Sequence, residues 1–124
     1  MAEEKKSVIG SIIWHDLTVP NAEEVKNFYT EVVGWTASLY SGYDDFNIHQ
    51  EDGQVMAGIC YAKGSNANIP PQWLMYVTVA NVEESAAKCV EMGGKILDGP
   101  RMMGNNNFCV IQDPAGAVMA LIEG

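Results

Sequence analysis

The chain has 124 residues, of which 48% are hydrophobic and 19% charged, and its formal net charge is −9. That length suits one domain with a buried core, and the balance is that of a folded chain rather than a disordered one. The acidity argues against nucleic acid, whose phosphates it would repel, and fits either a cationic ligand or solubility alone.

No apolar run approaches the roughly 18–20 residues that a membrane span needs. The opening MAEEKKSVIG lacks the apolar core of a secretory signal. Cys60, Cys89 and Cys109 are far apart and odd in number, with no CxxC or zinc-like spacing. These features predict a soluble cytoplasmic protein without a disulfide framework.

The first element is a β-rich run, SIIWHDLTV, over residues 11–19. A helix follows it. Asn21 is a good N-cap, and Glu24 three residues on completes the pattern of a capping box. Ala22, Val25, Tyr29, Val32 and Val33 form an apolar stripe at helical spacing, and Gly34 stands where a left-handed turn should end the helix. Three extended runs come next: WTASLY, FNIHQ and VMAGICYA, separated by turn signals at Ser41-Gly42 and Asp52-Gly53. The stretch KGSNANIPPQ, rich in Gly, Asn and Pro, then reads as a linker.

The order then repeats. WLMYVTV is the second leading strand, Asn81 and Glu84 its capping pair, Val82, Ala86, Cys89 and Val90 its helical stripe, and Gly94 its helix end. On that stripe Cys89 is a small core residue rather than a nucleophile. KILDGP, FCVIQD and AVMALIE complete the set, with turns at Asn105–Asn107 and at Pro114-Ala-Gly116. At an offset of 60 residues, Thr18 to Gly34 lies over Thr78 to Gly94 with seven identities in 17 pairs. The repeat continues with small shifts: Phe46 over Phe108, Gln50 over Gln112, and one Val-Met-Ala triplet over the other.

The expected fold is therefore α+β: two βαβββ modules forming a curved sheet around a cavity. Module one covers about 9–62, the linker 63–72 and module two about 73–124 of a single domain.

This pattern resembles the vicinal-oxygen-chelate superfamily, which includes glyoxalase I, bleomycin resistance proteins and extradiol dioxygenases. The resemblance covers nearly the whole chain. It rests on DLTVPNAEEVKNFYTEVVGW, on VTVANVEESAAKCVEMGGKIL and on the closing QDPAGAVMALIE. WHDL…FY…GW and PPQW look most like a glyoxalase-like subgroup.

The resemblance implies a small organic ligand and a homodimer, with no nucleic acid or membrane partner. It also implies where metal ligands would stand: on the first and last strands of each module. Here those positions are Trp14, Leu74, Ala57 or Gly58, and Ala120. Their side chains offer no lone pair to such a metal, so no metal and no cofactor is expected.

Strand parity sorts the remaining candidates. If Trp14 faces the cavity, so do Asp16 and Thr18, while His15, Leu17 and Val19 face the helix. His15 is then a packed, hydrogen-bonded histidine rather than a ligand. Leu74, Tyr76, Thr78, Val118, Ala120 and Ile122 line the facing sheet. Asp16 is either a general base or ligand anchor, or a carboxylate held by Thr18 or Tyr76. His49 is a proton-transfer partner for Asp16 if it points inward, and a surface residue otherwise; Cys109 is equally undetermined. Arg101 is placed in the loop GPRMMGNNNF, which the resemblance implies lies near the cavity mouth, with Met102 and Met103 as a flexible lid or as packing.

No Ser/His/Asp triad, phosphate loop or dinucleotide fingerprint is present. The function expected is metal-independent binding of a small molecule. The alternatives are a lyase or isomerase with Asp16 as base, a metal-dependent glyoxalase- or dioxygenase-like enzyme, and a protein that sequesters a bleomycin-type drug.

Overall fold

A β-rich run from Ile12 onward gives a strand, and a helix starts just after residue 21; the same order recurs sixty residues later. The computed structural model describes residues 8–40 and 44–124, so the turn expected at Ser41-Gly42 lies outside the described residues. Its elements are β1 (Ile12–Val19), α1 (Ala22–Val33), β2 (Thr36–Leu39), β3 (Phe46–His49) and β4 (Val55–Tyr61). A 3-10 turn at Gly64–Asn66 leads to β5 (Trp73–Val79), α2 (Val82–Glu91), β6 (Lys95–Met103), β7 (Asn106–Gln112) and β8 (Val118–Glu123). The fold is α+β, and the βαβββ order occurs twice.

The chain divides into two compact units. One is Trp14–Leu74; the other joins residues 8–13 to Met75–Gly124. In the Trp14–Leu74 unit the strand order is β2-β3-β4-β1. β1 runs parallel to β4, with Asp16 opposite Gly58. Leu17, Val19, Ile48, Ala57 and Ile59 are buried on one face with Ala22 of α1, and Val25 and Tyr29 pack against them. Burying a side chain such as Ile48 or Ile59 in full contributes roughly 1.5–3 kcal/mol.

The other unit repeats the plan as β5-β8-β7-β6. β5 is parallel to β8, with Tyr76 opposite Ala120. Val82 and Ala86 of α2 pack on Cys109 and Leu121, beside Val77, Val79 and Ile111. Cys109 is thus a fully buried residue on the helix side. Residues before β1 belong here too: Gly10 N–H donates to Thr78 O, and Thr78 N–H to Ser11 O.

The helix ends differ from expectation in instructive ways. Gly34 is left-handed at φ 89° and its N–H donates to Thr30 O, as its position implied. Asn81 caps α2 by accepting from Glu84 N–H at 2.9 Å. Asn21 does not cap α1; its amide donates instead to the Glu24 carboxylate at 2.9 Å.

At the end of α2 the left-handed residue is Gly93, at φ 97°, not Gly94. Gly94 is needed for a different reason, because a Cβ there would sit 2.6 Å from Cys89 Sγ and 2.7 Å from Gln112 O. The apolar stripes are also shorter than their pattern. Val32, Val33 and Val90 are exposed, because each helix lies on its sheet mainly through its first two turns.

The third strands correct the sequence alignment of the halves. Asn47 pairs with Gly58, whereas Val110 pairs with Ala120. By that register Phe46 corresponds to Cys109, not to Phe108. Phe46 packs on the α1 side with Lys26 Nζ 4.9 Å from its ring centre. Phe108 lies on the face away from α2. The two halves differ by one residue because β4 carries a bulge: Ile48 pairs with Ala57 but His49 with Val55, leaving Met56 as an extra residue.

Candidate functional site

Asp16 projects from the face of the first unit's sheet that is turned away from α1, since its neighbours Leu17 and Val19 belong to the helix-side core. The indole N–H of Trp14, two residues earlier on the same face, donates to Asp16 Oδ1 at 3.1 Å. The Cys60 thiol donates to Oδ2 at 3.7 Å. Directly opposite, Gly58 leaves the space the carboxyl occupies; a Cβ there would collide with Oδ1. The donors given to the carboxyl within this unit are thus Trp14 and Cys60.

Burial pushes the Asp16 carboxyl up to about 6, against the opposing pull of the Trp14 and Cys60 hydrogen bonds; the negative Asp45 nearby adds to the rise. Burial and the adjacent carboxylates also push the Cys60 thiol well above its ordinary range, so it serves as a protonated donor and not as a nucleophile. Asp45 itself accepts from Tyr61 N–H at 3.1 Å.

His49 and Asn47 share this face by register. His49 Nδ1 lies 3.0 Å from Gly53 O, and Nε2 lies 2.7 Å from Ser38 Oγ. A carbonyl only accepts, so Nδ1–H donates to Gly53 O, and Nε2 shares a hydrogen bond with the Ser38 hydroxyl. Both nitrogens are therefore engaged away from Asp16, and the histidine holds the β2–β3–β4 corner.

His15 faces the α1 side, as parity required. It is not packed: the ring is exposed and makes no hydrogen bond among the described residues. It stands at the rim of a pocket of about 400 Å³ lined also by Trp35, Met56, Ala57 and Trp73.

In the other unit, Tyr76 and Phe108 stack with centroids 6.3 Å apart and planes 8° off parallel. The Arg101 guanidinium lies 4.7 Å from the Phe108 ring centre. Arg101 Nε and Nη2 donate to the two oxygens of Asp98 at 2.9 and 2.8 Å. This corrects the loop expected around Arg101, which is part of β6. Asp98 and Arg101, three residues apart, share a face because β6 has a register shift between them at Gly99-Pro100. Tyr76, Thr78 and Ala120 here, and Thr18 and Leu74 of the first unit, are all buried, Thr78 and Ala120 completely.

Sequence reasoning missed Cys60, Asp98, Trp35 and Trp73 as functional neighbours. Only Gly58 had been marked, as one of two candidates for the last-strand position. The register selects it over Ala57, which faces α1. The positions at which the resemblance would put metal ligands are thus Trp14, Gly58, Leu74 and Ala120, and none of these side chains offers a donor for a metal ion. Among the described residues no three His, Cys, Asp or Glu side chains gather closely enough to hold one. The residues present do not fit a metal at these positions.

The Glyoxalase/Bleomycin resistance protein/Dioxygenase superfamily pattern matches residues 9–121, and the chain belongs to that superfamily. Among its relatives are the anthracycline biosynthesis protein DnrV of Streptomyces peucetius, 26% identical over 90% of this chain and 46% of that protein. Another is CFP32 of Mycobacterium bovis, 28% identical over 90% of this chain and 45% of that protein. The chain therefore spans less than half the length of these curated relatives.

Solved structures share the fold at low identity. An NAD-dependent benzaldehyde dehydrogenase structure from Legionella pneumophila aligns with TM-score 0.58 and 14% identity, over 89% of this chain and 96% of that one. Methylmalonyl-CoA epimerase from Mycobacterium tuberculosis aligns with TM-score 0.52 and 11% identity, over 98% and 92%.

Proposed function

We propose that this chain binds a small organic molecule on the Asp16 face, without a metal ion. It would belong to a subgroup of the superfamily in which an aromatic–carboxylate pair stands where metal ligands do in other members. The observation that carries the reading is the half-buried Asp16 carboxyl, held over Gly58 by one indole N–H and one weak thiol donor. Mostly ionised at pH 7, it lacks strong donors, and a ligand bringing an N–H or ammonium group would supply one. Trp14 offers the aromatic surface for the rest of that ligand. Relatives named for anthracycline biosynthesis are consistent with an organic small molecule.

The test uses 1-naphthylmethylamine and its carboxylate counterpart 1-naphthoate. The amine should shift the Trp14 indole N–H resonance saturably, naphthoate should not, and Asp16→Asn should weaken the amine at least tenfold. Equal binding of both probes would overturn the reading. Near-stoichiometric metal in protein purified without chelator, measured by elemental mass spectrometry, would overturn its metal-independence.

Asp16 with a carboxyl near 6 also favours a second reading, a lyase or isomerase with that residue as general base. Turnover lost in Asp16→Asn with an unchanged circular dichroism spectrum would select it. The charge of −9 favours sequestration of a cationic bleomycin-type drug, which salt would weaken. We further infer a cytoplasmic homodimer, checked by sedimentation.

A further inference from the structure

The α1 side of the same sheet holds a site that the Asp16 face does not explain. The pocket there measures about 400 Å³, within the range of small-molecule sites. Its walls are apolar apart from the His15 imidazole and the indole N–H groups of Trp35 and Trp73. Trp35 and Trp73 meet at 74° with centroids 5.8 Å apart, forming an aromatic corner. A flat ring stacked on one indole therefore presents its edge to the other. Met56 adds a polarizable thioether on the same side, placed there by the β4 bulge, and the small Ala57 leaves the floor open.

The polar possibilities are narrow. The Trp73 indole N–H is already committed to the Tyr29 hydroxyl at 3.1 Å. No charged residue lines the cavity, so an anionic ligand would lose hydration with nothing in return. His15, exposed at the rim and without a hydrogen bond among the described residues, is the lining side chain that can accept as well as donate towards a ligand's polar atom, the Trp35 indole N–H being a donor only.

We propose that this pocket binds a neutral, planar aromatic molecule that carries one hydrogen-bonding group directed at His15. It is a second site, on the opposite side of the sheet from Asp16, and does not depend on what Asp16 recognises.

The chain has three tryptophans, so indole N–H resonances of 15N-labelled protein separate the two sites: Trp14 reports the Asp16 face, Trp35 and Trp73 the pocket. The probe is 2-naphthol. Saturable shifts at Trp35 and Trp73, with Trp14 unmoved and one molecule bound per chain, are expected. The charged analogue 2-naphthoate should bind at least tenfold more weakly. His15→Ala, at an exposed position, should weaken 2-naphthol about three- to tenfold and leave naphthalene unchanged, the loss of one hydrogen bond.

Still resonances at Trp35 and Trp73, shifts at Trp14 instead, or equal binding of naphthoate would each overturn the proposal. So would shifts of Trp35 and Trp73 on simple dilution of the free protein, which would mean that a second copy covers the pocket. Trp35→Leu removes one wall and should weaken 2-naphthol at least tenfold; if that variant does not fold, the native-protein resonances and His15→Ala decide alone.

Discussion

Replacing Asp16 by Asn should stabilise the protein above pH 6 and leave it unchanged near pH 4. The native carboxyl titrates at about 6 rather than 3.8, so the folded state holds its proton more tightly than the unfolded chain does. As pH rises from about 4 to about 6, the unfolded chain ionises freely while the folded one resists. Each pH unit in that window costs the native state ~1.4 kcal/mol. The full cost approaches ~3 kcal/mol, and roughly 2 kcal/mol is a better expectation for a carboxyl that keeps some contact with water.

Asparagine carries no charge to desolvate, and its carbonyl oxygen still accepts from the Trp14 indole. At about 3–4 °C per kcal/mol for a chain of this size, the variant should melt roughly 6–8 °C above the native protein at pH 8. The difference should shrink through pH 6 and vanish near pH 4. Thermal melts followed by circular dichroism at half-unit pH steps measure it. A variant less stable at pH 8, or a difference independent of pH, would refute the claim that burial governs this carboxyl.

Gly58→Ala should displace Asp16, because the new Cβ would collide with Oδ1; a loss of about 1–3 kcal/mol and a shifted Trp14 indole resonance are the expected readouts. Gly94→Ala should be at least as costly, since Gln112 O is backbone and cannot swing aside as a side chain would; denaturant melts would show a lower midpoint with an unchanged slope. Asn81→Ala should cost ~1 kcal/mol through its lost cap, while Asn21→Ala should cost clearly less, although the two asparagines occupy matching places in the repeat. Equal losses in the two variants would contradict the observed difference in capping.

The duplicated βαβββ order was legible because each half states it with the same grammar: a β-rich run, an Asn-x-x-Glu start, a helical stripe and a closing glycine. The facing of β1 was legible too, since period-two alternation fixes all of Trp14 to Val19 once one residue is placed. What escaped was whatever depends on an extra residue inside a strand. The bulge at Met56 adds no turn residue and breaks no pattern that a sequence displays. It nevertheless shifts the third strands of the halves by one residue, so that Phe46 and Phe108 look alike and face opposite ways. The β6 irregularity hid the Asp98–Arg101 pair in the same manner, behind a Gly-Pro that reads as a turn. His15 escaped for another reason: parity tells which side a residue faces, not whether that side is filled.

Duplication normally ties two halves together, because a change that suits one copy is measured against the same scaffold in the other. The single residue at Met56 loosens that tie. An insertion within a strand alters the wall behind the sheet while the pairing of Asp16 with Gly58, two positions further along β4, stays in place. One half thus carries different walls on the two faces of its sheet, and the register on the Asp16 side does not fix what the helix side holds.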